Sequence, residues 1–206
     1  MKVGMATHVG KVRTINEDSI GRKGTLFVLA DGMGGHQAGE VASALVVERV
    51  LALETNSSDF KTTLTSTLNE ANQALLAYAD EHQECLGMGT TVVVAKVEPD
   101  HIAVAHIGDS RAYLWGQGQL IQLTVDHSLV NELVRSGGIT EEEAKNHPQR
   151  NILTQALGAP GLLTPEYREF PFTAGDRLLL CSDGLTAMLG DEEIERLLGT
   201  ALSAQE

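Results

Sequence analysis

A short apolar run that ends in an aspartate and a glycine is the strongest constraint on the fold of this chain. The run covers residues 26–30, and Asp31 and Gly32 follow it. A continuous apolar run of this length is typical of a strand buried on both faces. By itself, an Asp-Gly pair after a strand is an ordinary turn signal. A second such run, residues 177–181, leads to Asp183, and an acidic turn at residues 16–18 follows the first predicted strand. Convergent carboxylates at strand ends predict a site for a hard cation.

Helical and strand-like patterns follow one another in blocks along the chain. Residues 40–53 are strong helix formers, and residues 60–82 carry a helical apolar stripe behind Asp59, a predicted N-cap. Three β-branched runs predict an antiparallel meander: residues 90–97, 101–107 and 111–115. The remaining predicted helices cover residues 128–136, residues 140–147 and a segment that begins near Asp191. In the second of these, Thr140 and Glu143 have the spacing of a capping box. Such blocks favour an α+β fold, with antiparallel sheets and helices on their outer faces.

Composition limits the class of protein. With 206 residues, of which 42% are hydrophobic, we expect one domain over residues 1–206, with residues 126–160 as a polar, flap-like insertion. The formal charge of -13 argues against a general electrostatic attraction to nucleic acid or an anionic membrane. Cys85 and Cys181 stand in no disulfide or zinc spacing. The N-terminus lacks the apolar stretch of a signal peptide, so we expect a cytoplasmic protein.

Five polar motifs contain the residue types that metal and phosphate chemistry use. They are Arg13-x-x-Asn16-Glu17-Asp18, Asp31-Gly32-Met33-Gly34-Gly35-His36, Gly87-Met88-Gly89-Thr90-Thr91, Gly108-Asp109-Ser110-Arg111 and Ser182-Asp183-Gly184. Oxygen ligands of this kind suit magnesium, manganese or calcium, and a glycine lets its carbonyl approach closely. In this order, the motifs resemble the protein phosphatase 2C family in its bacterial form.

The resemblance covers nearly the whole chain and implies both a fold and a reaction. The implied fold is a β-sandwich flanked by helices around two Mn²⁺ or Mg²⁺ ions, with a third, weaker ion. The implied reaction is direct attack of a metal-bridging water on the phosphorus of phosphoserine or phosphothreonine. Residues 147–150 also resemble part of the insertion segment of the bacterial family.

The resemblance also implies roles for single residues. Asp31 would bridge the two metals, Gly32 would offer its carbonyl, and Asp183 would bind one metal. Three further carboxylates complete the implied set: Glu17 and Asp18 for metal-bound water, and Asp109 for the third ion. For Asp109 an alternative stays open, namely a hairpin turn in which it pairs locally with Arg111.

Arg13 and His36 are the candidates for direct action on the substrate. Arg13 matches the arginine with which the family binds phosphate, and a guanidinium offers bidentate donors for a phosphate dianion. Its alternative is a solvated surface arginine. His36 is a candidate proton donor because histidine titrates near neutrality. Eukaryotic members carry a histidine directly after Asp-Gly, where this chain has Met33, so a surface or helix-capping histidine is an equally good interpretation.

The terminal Asp-Asn motif of the family has no counterpart in this sequence. We expect a truncated chain of an active enzyme, unstable or self-associated in isolation and a monomer when complete, rather than a natural variant that lost a ligand. The expected partners are phosphorylated proteins, the substrates of bacterial serine/threonine kinases. Two other functions stay open: a catalytically weak, phosphoprotein-binding or regulatory module, and hydrolysis of a small phosphate ester.

Overall fold

The computed structural model describes residues 1–34, 38–55, 59–200 and 203–204. The strands are β1 Asp18–Lys23, β2 Leu26–Met33, β3 Gly89–Thr90, β4 Val92–Val97, β5 His101–Ile107, β6 Arg111–Gly116, β7 Gln119–Gln122, β8 Glu166–Pro171 and β9 Arg177–Cys181. The α-helices are α1 Gly39–Ala52, α2 Phe60–Glu81, α3 Leu129–Arg135, α4 Glu141–Lys145, α5 Asp183–Thr186 and α6 Asp191–Thr200. Among these helices none combines the length and the apolar character needed to cross a bilayer.

Two antiparallel sheets form the centre of the fold. The larger has the order β1-β2-β4-β5-β8, with the short β3 paired to β2, and the smaller has the order β7-β6-β9. An apolar cluster lies between their inner faces, and it includes Leu29, Val93, Val104, Leu178 and Leu180. Alternate residues of a strand face opposite sides, so each strand contributes every second side chain to this layer. The predicted α+β sandwich is confirmed.

Helices cover the outer faces of both sheets. A second apolar cluster joins α1 and α2 to the larger sheet, and its helical members include Val46, Val50, Leu64, Leu68 and Leu75. On the smaller sheet, the Tyr113 hydroxyl donates to Asp191 Oδ1 at 3.0 Å, and the Leu120 N–H donates to Glu195 Oε2 at 2.8 Å. These bonds attach α6 to β6 and β7, which gives four layers in all.

Local capping signals lie where the sequence predicts them. The Asp59 carboxylate accepts the Thr62 N–H at 3.0 Å and so caps α2. Thr140 and Glu143 form both bonds of the predicted capping box at the start of α4. Each bond satisfies a backbone or side-chain donor that would otherwise lack a partner in the first helical turn.

Three strand predictions are wrong in ways that matter for the site. The meander is broken, because β5 pairs with β4 and β8 whereas β6 crosses to the smaller sheet, between β7 and β9. Residues 1–17 hold no strand, although the sequence predicts one before the acidic turn at residues 16–18. Strand β2 also continues through Asp31 and Gly32 instead of ending before them. Turn residues indicate where a chain reverses, but hydrogen-bonding partners elsewhere decide which sheet it joins.

Asn72 on α2 provides a test of how the segment before β8 is held. Its Nδ2 donates to the Ala159 carbonyl at 2.9 Å, and its Oδ1 accepts the Gly158 N–H at 2.7 Å. The side chain is fully buried, so Asn72→Ala leaves backbone groups unpaired and should lower the free energy of unfolding by about 2–3 kcal/mol. Urea denaturation measures this loss. The exposed neighbour Gln73 is the control, and an equal loss in Gln73→Ala would contradict the assignment.

Candidate metal centre

Asp18 and Asp31 lie directly opposite each other on neighbouring strands. The register of β1 and β2 pairs the two residues, so their side chains project from the same face of the sheet. The charge of Asp18 raises the pKa of Asp31, so the two carboxyl groups lie near each other. The Ser182 hydroxyl donates to Asp18 Oδ2 at 2.8 Å, which brings the end of β9 to this pair.

Asp183 and Asp109 complete the acidic cluster. Asp183 begins α5 directly after β9, and Asp109 follows β5 where the chain crosses between the sheets. Burial, then the charges of Asp18, Asp183 and Asp109, raise the pKa of Asp31 to about 8. Burial, then the charges of Asp183 and Asp126, raise the pKa of Asp109 to about 6. The four aspartates therefore face one another closely enough to oppose ionisation, with Asp31 at the centre.

The donor set of this cluster fits a divalent cation. Crowded carboxylates oppose each other's ionisation, and a shared cation reverses that effect. The donors are aspartate oxygens and the nearby Gly32 carbonyl, which are the oxygen ligands that magnesium and manganese prefer. The fold thus brings together four of the residues that the sequence assigned to metal binding: Asp18, Asp31, Asp109 and Asp183.

Hydroxyl groups hold the backbone of Asp31 in place. Its N–H donates to Thr91 Oγ1 at 3.0 Å, and its carbonyl accepts the Thr91 N–H and the Thr90 hydroxyl, each at 2.9 Å. Thr91 Oγ1 is also 2.7 Å from Ser110 Oγ, next to Asp109. The sequence places Thr90 and Thr91 at the start of a predicted strand and gives them no supporting role. Their role as supports depends on tertiary contacts that spacing does not reveal.

Gly32 lies at a contact between backbones. A Cβ at Gly32 would lie 2.0 Å from the Gly39 carbonyl oxygen and 2.7 Å from the Glu17 carbonyl oxygen. A Cβ at Gly39 would lie 2.4 Å from Glu17 Oε1. Strand β2 and the first residue of α1 can approach this closely only because both positions lack a side chain. The approach fixes the start of α1 beside the acidic cluster.

Arg13 lies at the rim of the cluster and pairs with Glu17. The Arg13 side chain is 71% exposed, whereas that of Glu17 is 14% exposed. Burial raises the pKa of Asp18. The hydrogen bond from the Ser182 hydroxyl lowers this pKa, the charge of Asp183 raises it, and the charge of nearby Arg13 lowers it. Asp18 faces Asp31, whereas the Glu17 carboxylate contacts Arg13. The ligand role of Glu17 and the phosphate role of Arg13 stay predictions.

One interpretation of the sequence pairs Asp109 locally with Arg111, but Arg111 pairs with a different carboxylate. Its guanidinium binds Asp126 in a bidentate arrangement, with Nε 3.0 Å from Oδ1 and NH2 2.7 Å from Oδ2. Asp109 is therefore left to face Asp183. No pattern in the sequence indicates that Asp126 and Ser182 act as supports. The candidate proton donor His36 lies outside the described residues.

Comparison with known proteins identifies the family of this chain. A sequence profile described as protein phosphatase 2C matches residues 8–204. The chain belongs to the protein phosphatase 2C family. It is 40% identical to the serine/threonine phosphatase stp of Listeria innocua, over 100% of this chain and 86% of that protein. It is 44% identical to a putative protein phosphatase 2C-type of Streptococcus pyogenes, over 100% of this chain and 87% of that protein.

Solved structures of the 2C family share the fold. The crystal structure of the Mycobacterium tuberculosis serine/threonine phosphatase PstP has a TM-score of 0.89 and 40% identity, over 96% of this chain and 84% of that chain. A PstP catalytic domain in complex with two manganese ions has a TM-score of 0.87 and 38% identity, with the same shares covered. This chain thus has the fold of proteins that are named phosphatases.

Gly32→Ala tests the contact between β2 and α1. Because the new methyl group would overlap backbone atoms, which cannot rotate away, we expect a loss of at least about 3 kcal/mol in the free energy of unfolding. Urea denaturation followed by circular dichroism measures the loss. Gly190→Ala is the matched control, since a Cβ there meets nothing within 4 Å. A Gly32→Ala protein as stable as this control would show that the backbones lie farther apart.

Asp31→Asn tests the crowding of the carboxylates in the metal-free protein. Because the pKa of Asp31 is raised to about 8, its ionised form destabilises the fold, and this loss grows as the pH rises from the unfolded value towards 8. At pH 8 we expect Asp31→Asn to be more stable than the unaltered chain by about 1–3 kcal/mol in the free energy of unfolding, and therefore to unfold at a higher temperature.

Added Mn²⁺ should then raise the melting temperature of the unaltered chain but not that of Asp31→Asn, because ligand binding to the folded state stabilises it. The exposed Asp80 on α2 gives the control, Asp80→Asn, which should keep the manganese response. Scanning calorimetry measures both effects. An Asp31→Asn protein that is less stable without metal, yet still stabilised by Mn²⁺, would contradict the central position of Asp31.

Proposed function

We propose that this chain is a Mn²⁺- or Mg²⁺-dependent protein phosphatase that hydrolyses phosphoserine and phosphothreonine. The convergence of Asp18, Asp31, Asp109 and Asp183 in a 2C-family fold is the observation that carries the proposal. Relatives that match the whole chain are named serine/threonine phosphatases, and a related catalytic domain binds two manganese ions. Both support a metal-dependent phosphatase.

The acidic cluster would hold the metals. Asp31, at the centre, would bridge two ions, the Gly32 carbonyl would bind one of them, and Asp183 would bind from the end of β9. Asp109 would hold a third, weaker ion. When bound, the ions supply Lewis acidity and make water a nucleophile near neutral pH. The protein's own contribution is to hold these oxygens in fixed positions, and the Ser182 and Thr91 hydroxyls serve this purpose.

Arg13 would bind the phosphate of the substrate at the rim of the cluster. Its guanidinium is exposed, and Glu17 holds one of its nitrogens while leaving others to donate. Glu17 would thereby orient Arg13, in addition to its predicted place near metal-bound water. His36 stays the candidate donor of a proton to the leaving alkoxide.

The substrates would be phosphorylated proteins, modified by bacterial serine/threonine kinases in the cytoplasm. Residues 1–206 would form one catalytic domain, and the polar segment 126–160 would influence which phosphoproteins dock. The charge of -13 supports neither nucleic acid nor an anionic membrane as a partner. We propose that the enzyme is a monomer.

Phosphate release from a phosphothreonine peptide tests the proposed activity. We expect release that depends on Mn²⁺ and that falls at least about 100-fold in Asp31→Asn, because the central ligand is lost. Asp80→Asn, an exposed position on α2, should release phosphate at the unaltered rate. Equal rates in the unaltered chain and Asp31→Asn would overturn the proposal.

A phosphoprotein-binding module is the second candidate function, and the exposed guanidinium of Arg13 favours it. Fluorescence anisotropy with the same peptide separates the two. Tight binding that is lost in Arg13→Ala, without any phosphate release in Mn²⁺, would establish a binding module. Comparable turnover of the peptide and of p-nitrophenyl phosphate would instead leave a small phosphate ester as an equally good substrate.

A further inference from the structure

The turn that carries Asp109 is held at both ends by two consecutive residues from the start of segment 126–160. Asp126 binds the guanidinium of Arg111 on the far side of the turn. His127 binds Gly108 on the near side, through both its backbone and its ring. Asp109 lies between these two attachments. Its place in the acidic cluster thus depends on residues 15 or more positions farther along the chain.

His127 satisfies both backbone groups of Gly108. The Gly108 N–H donates to His127 Nδ1 at 3.1 Å, and the Gly108 carbonyl accepts the His127 N–H at 3.0 Å. Gly108 is buried and has φ +102°, and a Cβ there would lie 2.7 Å from Thr91 Cβ. Without an acceptor at Nδ1, the buried N–H would lose its partner, and the turn would have to rotate to regain one.

The hydrogen bonds fix the tautomer of His127. Burial and the neighbouring His106 lower the pKa of His127, which favours the neutral ring with one proton. Because Nδ1 accepts from Gly108, that proton is on Nε2. His106 stacks on this ring with centroids 4.7 Å apart and donates its own Nε2 proton to the Val125 carbonyl at 2.8 Å.

This tautomer decides against a metal at the same place. His106, His127 and Glu166 offer three ligand atoms within 4.8 Å of one another, a spacing that could suggest a cation site. A metal at His127 Nε2 needs a lone pair there, but the proton occupies it while Nδ1 accepts from Gly108. Metal binding would therefore require the bond to Gly108 to break.

We propose that His127 is a positioning residue for the metal centre, which uses the lone pair of Nδ1 to hold the Gly108–Asp109 turn so that Asp109 faces Asp31 and Asp183. This role rests on the proposed function, since it presumes that Asp109 binds an ion. It also links the centre to the surface segment, because the His127 carbonyl accepts the Thr154 N–H at 2.9 Å. These hydrogen bonds of His127 thus connect the turn that carries Asp109 to both ends of residues 127–154.

Two substitutions at one position separate the acceptor from the bulk of the ring. In His127→Asn, the amide Oδ1 lies near the place of Nδ1 and can accept the Gly108 N–H. In His127→Leu, a side chain of comparable size offers no acceptor. His127→Gln is a second variant without an acceptor at that place, and it keeps a polar group near Nε2 if the leucine variant fails to fold. Asp109→Asn and the double variant His127→Leu/Asp109→Asn complete a cycle.

Binding of Mn²⁺ to the metal-free chain, measured by titration calorimetry, is the first readout. Asp109→Asn defines the part of the binding that depends on Asp109. We expect His127→Leu and His127→Gln to weaken that part about tenfold, His127→Asn to restore it within about threefold, and the double variant to bind no more weakly than Asp109→Asn. A merely structural role would instead add its effect to that of Asp109→Asn.

The second readout is ¹⁵N NMR of the unaltered chain, which reports the tautomer of His127 directly. We expect an unprotonated Nδ1, a protonated Nε2, and a Gly108 amide that exchanges slowly with solvent. A protonated Nδ1 would overturn the proposal, and so would a Co²⁺ spectrum that requires His106 and His127, because it would establish a metal site there.

The remaining outcomes separate this proposal from the proposed function. Unchanged Mn²⁺ binding in His127→Leu or His127→Gln, while Asp31→Asn loses it, overturns only the role of His127. Equal binding by the unaltered chain and Asp109→Asn also overturns it, because nothing would then be positioned. Unchanged Mn²⁺ binding in Asp31→Asn would overturn the proposed metal centre itself.

Discussion

Holding four aspartates close together in a partly buried site is the constraint on which the rest of the structure depends. Burial, followed by their mutual repulsion, raises the pKa of Asp31 to about 8, and the repulsion would separate them if their backbones were free to move. Asp18 and Asp31 are fixed by the pairing of β1 and β2 in the larger sheet. Asp183 follows β9 of the smaller sheet, so the site needs both halves of the sandwich.

The crossing between the sheets determines where the other two aspartates lie. If β6 had continued the meander, Asp109 would stand at the tip of a hairpin in the larger sheet. Because β6 leaves for the smaller sheet, Asp109 lies at the junction, and β6 pairs with β9 along Arg111 to Trp115. This pairing brings the end of β9, and with it Asp183, beside Asp31. The break in the meander is thus what assembles the centre.

Sequence reasoning recovered what short-range physics decides. The N-cap at Asp59 and the capping box at Thr140 involve residues three apart, and both form. It missed what distant partners decide: the sheet that β6 joins, and the edge strand β8, whose side chains are half-buried or exposed and which ends in a proline. In the site, the carboxylates could be recognised from the sequence, because the chemistry of a carboxylate follows from the residue type alone. Thr91, Ser182 and His127 were not, since such residues act as supports only where the fold places them.

The supports around Asp31 are mainly neutral hydroxyls, and this has an electrostatic reason. A hydroxyl or a backbone N–H orients a carboxylate without neutralising it, whereas an arginine in contact would satisfy its charge and compete with a divalent cation. Among the described residues, the two arginines that flank the cluster are each held by another acid: Arg13 by Glu17, and Arg111 by Asp126. These pairings keep the two guanidinium groups close to the cluster but bound to other carboxylates. The negative potential at Asp31 therefore stays available to a cation.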